Sequence, residues 1–277
     1  MRTRRAFCAL LFLVWQACAA GGSLPPPVQR ALEAAAIPPQ AIALVVAPVE
    51  GGQALVQHRA EGAMNPASLM KLVTTSAALE LLGPAFTFRT EALAAAPLTN
   101  GILEGDLYLR GEGDPKLSLE RLWLLLRELR GRGLREIRGD LVFDRSAFLS
   151  FDHDPAAFDG KPQRPYNVGP DALLFNFAAI TLTLIPEDGG VRVLAEPLPA
   201  DFEIINRLRT VDAKRCPEDW REMLSARFAP DELELSGDYP RACGERRWHL
   251  AGLPNGALLA GVFTRLWREL GGKFSGR

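Results

Sequence analysis

A serine and a lysine stand three residues apart in the stretch NPASLMKL, residues 65–72, and these two residue types could perform acyl transfer. Side chains at this spacing share one face of a helix and come within hydrogen-bonding reach. A serine hydroxyl becomes a strong nucleophile when a neighbouring base takes its proton, and a neutral lysine amine can be that base. Ser68 and Lys71 are therefore the candidate nucleophile and general base.

The Ser-x-x-Lys spacing also occurs by chance, so the pair alone leaves two interpretations open: a catalytic pair, or two ordinary residues of an amphipathic helix. The context strengthens the catalytic interpretation but does not by itself decide between the two. Asn65-Pro66 is a turn signal, residues 66–82 are predicted to form a helix, and Gly83-Pro84 should end it. The N-terminus of a helix also favours a negative charge on a nearby oxygen.

Strands and helices alternate around this segment. Residues 41–50 and 53–60 are predicted to form a hairpin about Gly51-Gly52. Two strands follow the central helix, then a leucine-rich helix beginning near residue 118. Residues 177–240 alternate short apolar runs with turns, and an amphipathic helix ends near Gly271-Gly272. This mixture predicts the α+β class.

The N-terminal residues have the three-part pattern of a secretory signal. A basic MRTRR precedes the apolar AFCALLFLVW, and ACAAGG offers small residues for cleavage after Ala19 or Ala20. We therefore predict a signal peptide at 1–20 and a periplasmic protein. A lipid anchor on Cys18 and a retained membrane anchor are the alternatives, and peripheral membrane association stays open.

Overall charge argues against one class of partner. The formal net charge is −1, whereas a sequence-independent nucleic-acid binder needs a basic surplus. We expect no nucleic-acid partner and no cofactor.

Two cysteines remain once the signal is removed, Cys216 and Cys243. In an oxidising compartment such a pair indicates one disulfide. Two free buried thiols are the alternative. A metal site is not expected, because two cysteines supply only half of a tetrahedral ligand shell.

The stretch NPASLMKLVTTSAALELLGPAFTFRTE resembles the active-site helix of low-molecular-mass penicillin-binding proteins of the D-alanyl-D-alanine carboxypeptidase/endopeptidase family. GDLYLRGEGDPKLS, IRGDLVFDRSAF, PYNVGPDALLFNF and GVFTRLWRELGGKFSG resemble later segments of that family and occur in the same order. The resemblance spans about residues 30–277.

The resemblance implies a mechanism and a substrate. Ser68 would attack the peptide bond between two D-alanines of a peptidoglycan stem peptide, with Lys71 as base and an acyl-enzyme as intermediate. β-Lactams would act as covalent inhibitors. Asp144 lies where the family's inserted domain offers a carboxylate to the substrate's diamino acid; its alternative is an exposed turn residue.

The resemblance also implies a domain arrangement, a partial penicillin-binding domain with a β-rich insertion. We expect residues 24–92 and 254–277 to form the partial DD-peptidase domain. Residues 93–165 and 226–253 would form the inserted domain, with a nested β module at 166–225.

Two family motifs are missing from the sequence. No serine is followed by asparagine two positions later, and no Lys-Thr-Gly or Lys-Ser-Gly occurs. We therefore expect either the N-terminal part of a longer protein or a truncated paralogue, with impaired or absent activity. A catalytically dead peptidoglycan-binding or scaffold protein is the second hypothesis, and an unrelated exported module with an incidental Ser-Lys pair is the third.

Overall fold

The computed structural model describes residues 24–277, which form two compact units, residues 24–86 and 87–277. The predicted signal peptide, with its cleavage point and the lipid-anchor alternative at Cys18, lies outside the described residues. Among residues 24–277, no helix has both the length and the apolar character needed to cross a bilayer.

The first unit contains two α-helices and one hairpin. In chain order its elements are α1 (Pro26–Ala34), β1 (Leu44–Val46), β2 (Val56–His58) and α2 (Met70–Leu82). β1 and β2 pair antiparallel with Val45 opposite Gln57, so the predicted hairpin is present.

α2 begins later than the sequence predicts. A single 3-10 turn spans Ala67–Leu69, and the α-helix starts at Met70 rather than at Pro66. The end agrees with the prediction: Gly83 has φ +78° and donates its N–H to the carbonyl of Leu79 at 3.0 Å. Only glycine adopts this left-handed conformation without steric cost, so the helix stops there.

The second unit combines two α-helices with thirteen strands. Its helices are α3 (Leu119–Gly131) and α4 (Asn255–Glu269). Its strands are β3 (Thr90–Ala94), β4 (Leu98–Thr99), β5 (Ile102–Leu103), β6 (Leu107–Gly111), β7 (Glu136–Ile137), β8 (Leu141–Asp144), β9 (Ala179–Glu187), β10 (Gly190–Glu196), β11 (Glu203–Val211), β12 (Leu224–Phe228), β13 (Glu232–Pro240), β14 (Arg246–Ala251) and β15 (Lys273–Phe274). The mixed helix and strand content confirms the predicted α+β class.

These thirteen strands form four sheets within residues 87–277. In two of them a parallel pair is extended by an antiparallel strand: the orders are β3-β6-β8 and β11-β13-β12. A third has the order β15-β7-β5-β4, and the fourth is the antiparallel β10-β9-β14. The parallel pair β6–β8 matters most for the site, because β8 ends at Asp144.

Apolar side chains at helical spacing form the centre of the second unit. Leu259, Phe263 and Trp267 lie on one face of α4 and are completely buried, as are Leu122 and Leu126 of α3. Burying such a stripe against neighbouring elements is what holds an amphipathic helix in place. In the structure α4 thus packs inside the second unit, while the domain boundaries inferred from the sequence stay a prediction.

A disulfide joins Cys216 to Cys243, which is the first of the two alternatives that the sequence left open. Cys243 is 5% exposed and lies in the 3-10 turn that follows β13, and Cys216 lies between β11 and β12. The bond closes a chain loop with a sequence separation of 27 residues. A covalent link of this kind restricts the unfolded chain and thereby favours the folded one.

Replacing both cysteines with alanine should lower the free energy of unfolding of the second unit by about 3 kcal/mol, because the loop restraint is lost. Urea denaturation measured by circular dichroism checks this. Reduced wild-type protein serves as the control and should unfold at the same urea concentration as the variant. An unfolding midpoint that neither the substitutions nor reduction moves would contradict the prediction.

Candidate active site

The structure places Ser68 and Lys71 side by side. The Lys71 ammonium donates a hydrogen bond to the hydroxyl oxygen of Ser68, with 3.4 Å between Nζ and Oγ. Ser68 lies in the 3-10 turn, and Lys71 is the second residue of α2. Both side chains are exposed. The predicted spacing therefore places a serine hydroxyl and a lysine amine close enough to share a hydrogen bond. This is the geometry that an activated nucleophile needs.

The chain immediately before Ser68 is tightly shaped. The Asn65 side-chain oxygen accepts the Ala67 N–H at 2.9 Å, and the Pro66 carbonyl accepts the Leu69 N–H at 2.8 Å. Ala67 has φ +43°, a conformation that costs energy for any residue with a side chain. The Asn-Pro turn signal thus corresponds to a compact turn that places Ser68 just ahead of the helix.

Two threonines follow the pair on α2. Thr74 donates its hydroxyl hydrogen to the Met70 carbonyl at 3.1 Å, and Thr75 donates to the Lys71 carbonyl at 2.6 Å. Hydroxyls one turn later in a helix commonly bond backward in this way. These bonds engage the backbone carbonyls of the first turn, and the Lys71 amine is left to face Ser68.

α2 carries apolar side chains on all sides, and none of them is buried. A helix that is apolar all round is normally found in a protein core. In α2 and at the residue before it, the large apolar residues with at least half of their surface exposed are Leu69, Met70, Leu72, Val73, Leu79, Leu81 and Leu82. The surface next to the reactive pair is thus suited to being covered by protein.

Asp144 lies at the end of β8 and is paired with a residue that the sequence analysis did not single out. In the parallel register Arg110 of β6 stands opposite Asp144. The Arg110 guanidinium donates to the Asp144 carboxylate, with 2.8 Å between Nε and Oδ2. The backbone N–H of Ser146 donates to the other oxygen at 3.0 Å. Asp144 is therefore an organised carboxylate at a strand end.

These contacts lower the pKa of the Asp144 carboxyl group. Hydrogen bonding from Ser146, followed by hydrogen bonding from Arg110, lowers the pKa of Asp144 from 3.8 to about 2. The carboxylate is consequently ionised at every physiological pH. An ionised carboxylate can attract a cationic group of a ligand.

A sequence signal for Arg110 exists in a short recurring motif. Residues 105–110 read GDLYLR and residues 139–144 read GDLVFD. The two copies pair in register, so the last residue of one copy lies opposite the last residue of the other. Comparing the copies would have put an arginine next to Asp144.

The residues predicted for the site fall into two groups. Ser68 and Lys71 meet in the first unit, whereas Asp144 meets Arg110 in the second unit. Their roles in catalysis and in substrate binding stay predictions.

One known protein family accounts for most of the chain. Residues 26–277 match the D-Ala-D-Ala carboxypeptidase 3 (S13) family. The chain belongs to this family. The membership confirms the resemblance that the Ser-x-x-Lys segment and the ordered motifs indicated.

Two curated relatives illustrate the extent of the match. The chain is 26% identical over 236 residues to the D-alanyl-D-alanine carboxypeptidase DacB of Haemophilus influenzae, which covers 83% of this chain and 48% of the relative. It is 43% identical over 108 residues to a D-alanyl-D-alanine carboxypeptidase of an Actinomadura species, which covers 39% of this chain and 20% of that protein. The chain thus spans half the length of these relatives or less.

Solved structures share the fold. The crystal structure of penicillin binding protein 4 (dacB) from H. influenzae matches with a TM-score of 0.66 and 25% identity, covering 84% of this chain and 51% of that one. A structure of the same protein complexed with a β-lactam matches with a TM-score of 0.59 and 23% identity. The S13 fold is therefore present over most of the chain.

Replacing Arg110 with glutamine should raise the pKa of Asp144 towards 3.8, because one of the contacts that favour the ionised form is lost. Since the folded-state pKa is the lower one, the stability that this carboxylate contributes is complete above 3.8 and is lost as the pH falls through about 2. The Arg110→Gln variant should lose that contribution at a higher pH than the wild type does.

Carbon NMR of the Asp144 carboxyl group over an acid titration measures the shift. Arg209→Gln is the matched control, because Arg209 pairs with Asp238 and makes no contact with Asp144. An Asp144 titration that is identical in wild type and in Arg110→Gln would contradict the assigned cause.

Proposed function

We propose that this chain supplies the nucleophile and the general base of a serine-type D-Ala-D-Ala carboxypeptidase/endopeptidase that acts on peptidoglycan stem peptides. The observation that carries the proposal is the 3.4 Å approach of Lys71 Nζ to Ser68 Oγ at the start of α2, in a chain of the S13 family. The relatives' carboxypeptidase names support the reaction class.

The proposed reaction has two halves. Ser68 Oγ attacks the carbonyl carbon between the two D-alanines while Lys71 takes the hydroxyl proton, and the bond to the terminal D-alanine breaks as its nitrogen is protonated. Water then attacks the ester on Ser68 and restores the hydroxyl. The backbone N–H of Ser68 would be one donor to the oxygen that becomes negatively charged.

A working site would need more protein around α2 than the first unit provides. A lysine acts as base when its neutral form is favoured, and removal from water favours that form. The exposed position of Lys71 and the uncovered apolar surface of α2 both support a covering segment. Ser-x-Asn and Lys-Thr-Gly, absent from the printed sequence, are the motifs that such a segment would carry.

The same features support a second candidate function. Without the other wall of the pocket, transition-state stabilisation is weak, and this term is usually the largest in acyl transfer. A catalytically inactive peptidoglycan-binding protein of the same family would have the same Ser-Lys pair and the same fold. Acylation distinguishes the two candidates.

Asp144 is proposed as a substrate-binding residue. Its ionised carboxylate at the end of β8 suits the ammonium group of a diamino acid in the stem peptide. Arg110 already holds one carboxylate oxygen, so the ligand would share the carboxylate with this arginine.

The proposed function also implies a location and an inhibitor class. Peptidoglycan stem peptides lie outside the cytoplasm, and the basic, apolar and small-residue pattern at 1–20 supports export to the periplasm. β-Lactams present a strained amide to the same nucleophile, so covalent reaction at Ser68 is expected.

A fluorescent penicillin should label the purified chain slowly, and Ser68→Ala should abolish the labelling because the oxygen that forms the ester is gone. Gel fluorescence followed by mass spectrometry of the labelled peptide measures this. Ser76→Ala changes an exposed serine of α2, is the matched control and should be labelled like wild type. Folded wild-type protein that takes up no label would favour the inactive binding protein.

Replacing Lys71 with arginine should reduce the labelling rate by about a hundredfold or more, because arginine keeps the positive charge but does not give up its proton. The rate of label uptake at several penicillin concentrations checks this. Lys116→Arg makes the same change in the second unit and should leave the rate unaltered. Equal rates for Lys71→Arg and wild type would show that Lys71 is not the base.

A further inference from the structure

A groove of about 900 Å³ lies in the second unit, and Ser68, Lys71 and Asp144 are not among the residues that line it. Its floor includes Trp248 and Leu250, which lie on the same side of β14. One wall is the loop of residues 161–166, and the other is the segment of residues 218–222. Tyr166 is 71% exposed at the rim.

The first wall is held by a buried amide. Asn167 is 6% exposed, and its Nδ2 donates to Asp159 Oδ1 at 2.7 Å and to the Lys161 carbonyl at 3.0 Å. Gln163 Nε2 donates to the Ala226 carbonyl at 2.9 Å. These bonds position the loop that carries Tyr166, whose ring lies against Phe158 with 5.9 Å between ring centroids.

The second wall is held by packing and by the disulfide. Trp220 is 4% exposed and meets Tyr239 edge to face with 5.7 Å between ring centroids. The Tyr239 hydroxyl donates to the Gly244 carbonyl at 2.7 Å. The Cys216–Cys243 bond joins the chain just before this segment to the 3-10 turn after β13. Both walls are thus formed before any ligand arrives.

The rim carries equal numbers of positive and negative side chains. The cations are Lys161, Arg164 and Arg221, and the carboxylates are Glu218, Asp219 and Glu222. Lys161 from one wall pairs with Glu222 from the other, with 3.2 Å between Nζ and Oε1. A balanced rim of this kind gives no advantage to a strongly charged ligand, but offers many hydrogen-bond donors and acceptors.

We propose that this groove binds an N-acetylhexosamine chain. Each pyranose ring has an apolar C–H face that can pack on an aromatic ring, as on Trp248 and Tyr166. Its hydroxyl groups both donate and accept hydrogen bonds, which suits a rim of guanidinium and carboxylate groups. That the chain is a cell-wall glycan strand rests on the proposed function, since the stem peptides are attached to such strands.

An extended peptide fits the groove less well. Peptides commonly bind by adding a strand to a sheet edge, and β14 is an edge of its sheet. Two groups of that edge are already engaged: the Ala251 N–H donates to the Gln163 carbonyl at 2.9 Å, and the Arg221 guanidinium donates to the Arg247 carbonyl at 3.4 Å. Two aromatic side chains, Trp248 and Tyr166, line the groove, whereas two backbone groups of this edge are already bonded.

Calorimetric titration of the full Ser68→Ala chain with chitotetraose tests the proposal. This variant separates saccharide binding from acylation, which labelled penicillin reports on the wild-type chain. We expect saturable binding that Tyr166→Ala weakens about fivefold or more, as expected for the loss of one aromatic packing partner. Phe177→Ala is the matched control, since Phe177 is also an exposed aromatic residue of a 3-10 turn but lies outside the groove, and it should bind like its parent.

Three results would overturn the proposal. The first is no binding at about 10 mM chitotetraose, and the second is equal weakening by Tyr166→Ala and Phe177→Ala. The third is binding of a neutral stem-length peptide in place of the saccharide. Peptide-stripped cell-wall glycan should compete with chitotetraose, and a failure to compete would overturn the assignment to cell-wall strands. None of these outcomes alters penicillin labelling at Ser68.

Discussion

The position at which α2 begins is the constraint on which the reactive pair depends. The Asn65 side chain and the Pro66 carbonyl close a turn that places Ser68 one residue before the last position of a 3-10 turn. Lys71 then falls within the first turn of the α-helix and reaches the serine oxygen. If the helix began one residue earlier or later, one of these two side chains would be rotated by about 100° relative to its present surroundings. The positive φ of Ala67 shows that the local chain accepts some strain to keep this arrangement.

The surroundings of this pair differ from those of the rest of the molecule. In residues 87–277 the helices bury their apolar faces, as Trp267 and Leu122 show. In contrast, α2 keeps large apolar side chains such as Leu81, 83% exposed, at its surface. Apolar surface of this extent normally marks a contact with protein. The chemistry proposed for Ser68 and the packing of α2 therefore have the same requirement, which is a covering layer that also removes water from Lys71.

Both features proposed for ligand recognition lie in the second unit. Its parallel strands bring Arg110 to Asp144 and keep that carboxylate ionised. A separate groove lies between two walls that are fixed by Asn167 and by the Cys216–Cys243 bond. One of these features suits an ammonium group, and the other suits an uncharged chain with apolar faces. The two proposed ligands, a diamino acid of a stem peptide and a saccharide chain, are both components of peptidoglycan.

Sequence and tertiary structure determined different parts of this protein. The hairpin, the helix that ends at Gly83 and the adjacency of Ser68 and Lys71 follow from residues close together in the chain, whose period and turn residues act locally. The choice between a disulfide and two free thiols could not be made from two cysteines in a sequence, because it depends on how strands far apart are packed.

The partnership of Arg110 with Asp144, 34 residues apart, and the meeting of Tyr166 with Trp248 in one groove were likewise decided by the fold. The recurring GDL motif indicated the pairing of Arg110 with Asp144, but no local pattern predicted that Tyr166 and Trp248 would line one groove. Register between strands and the approach of distant loops are set by burial of the whole apolar core, and a short window of sequence does not contain that information.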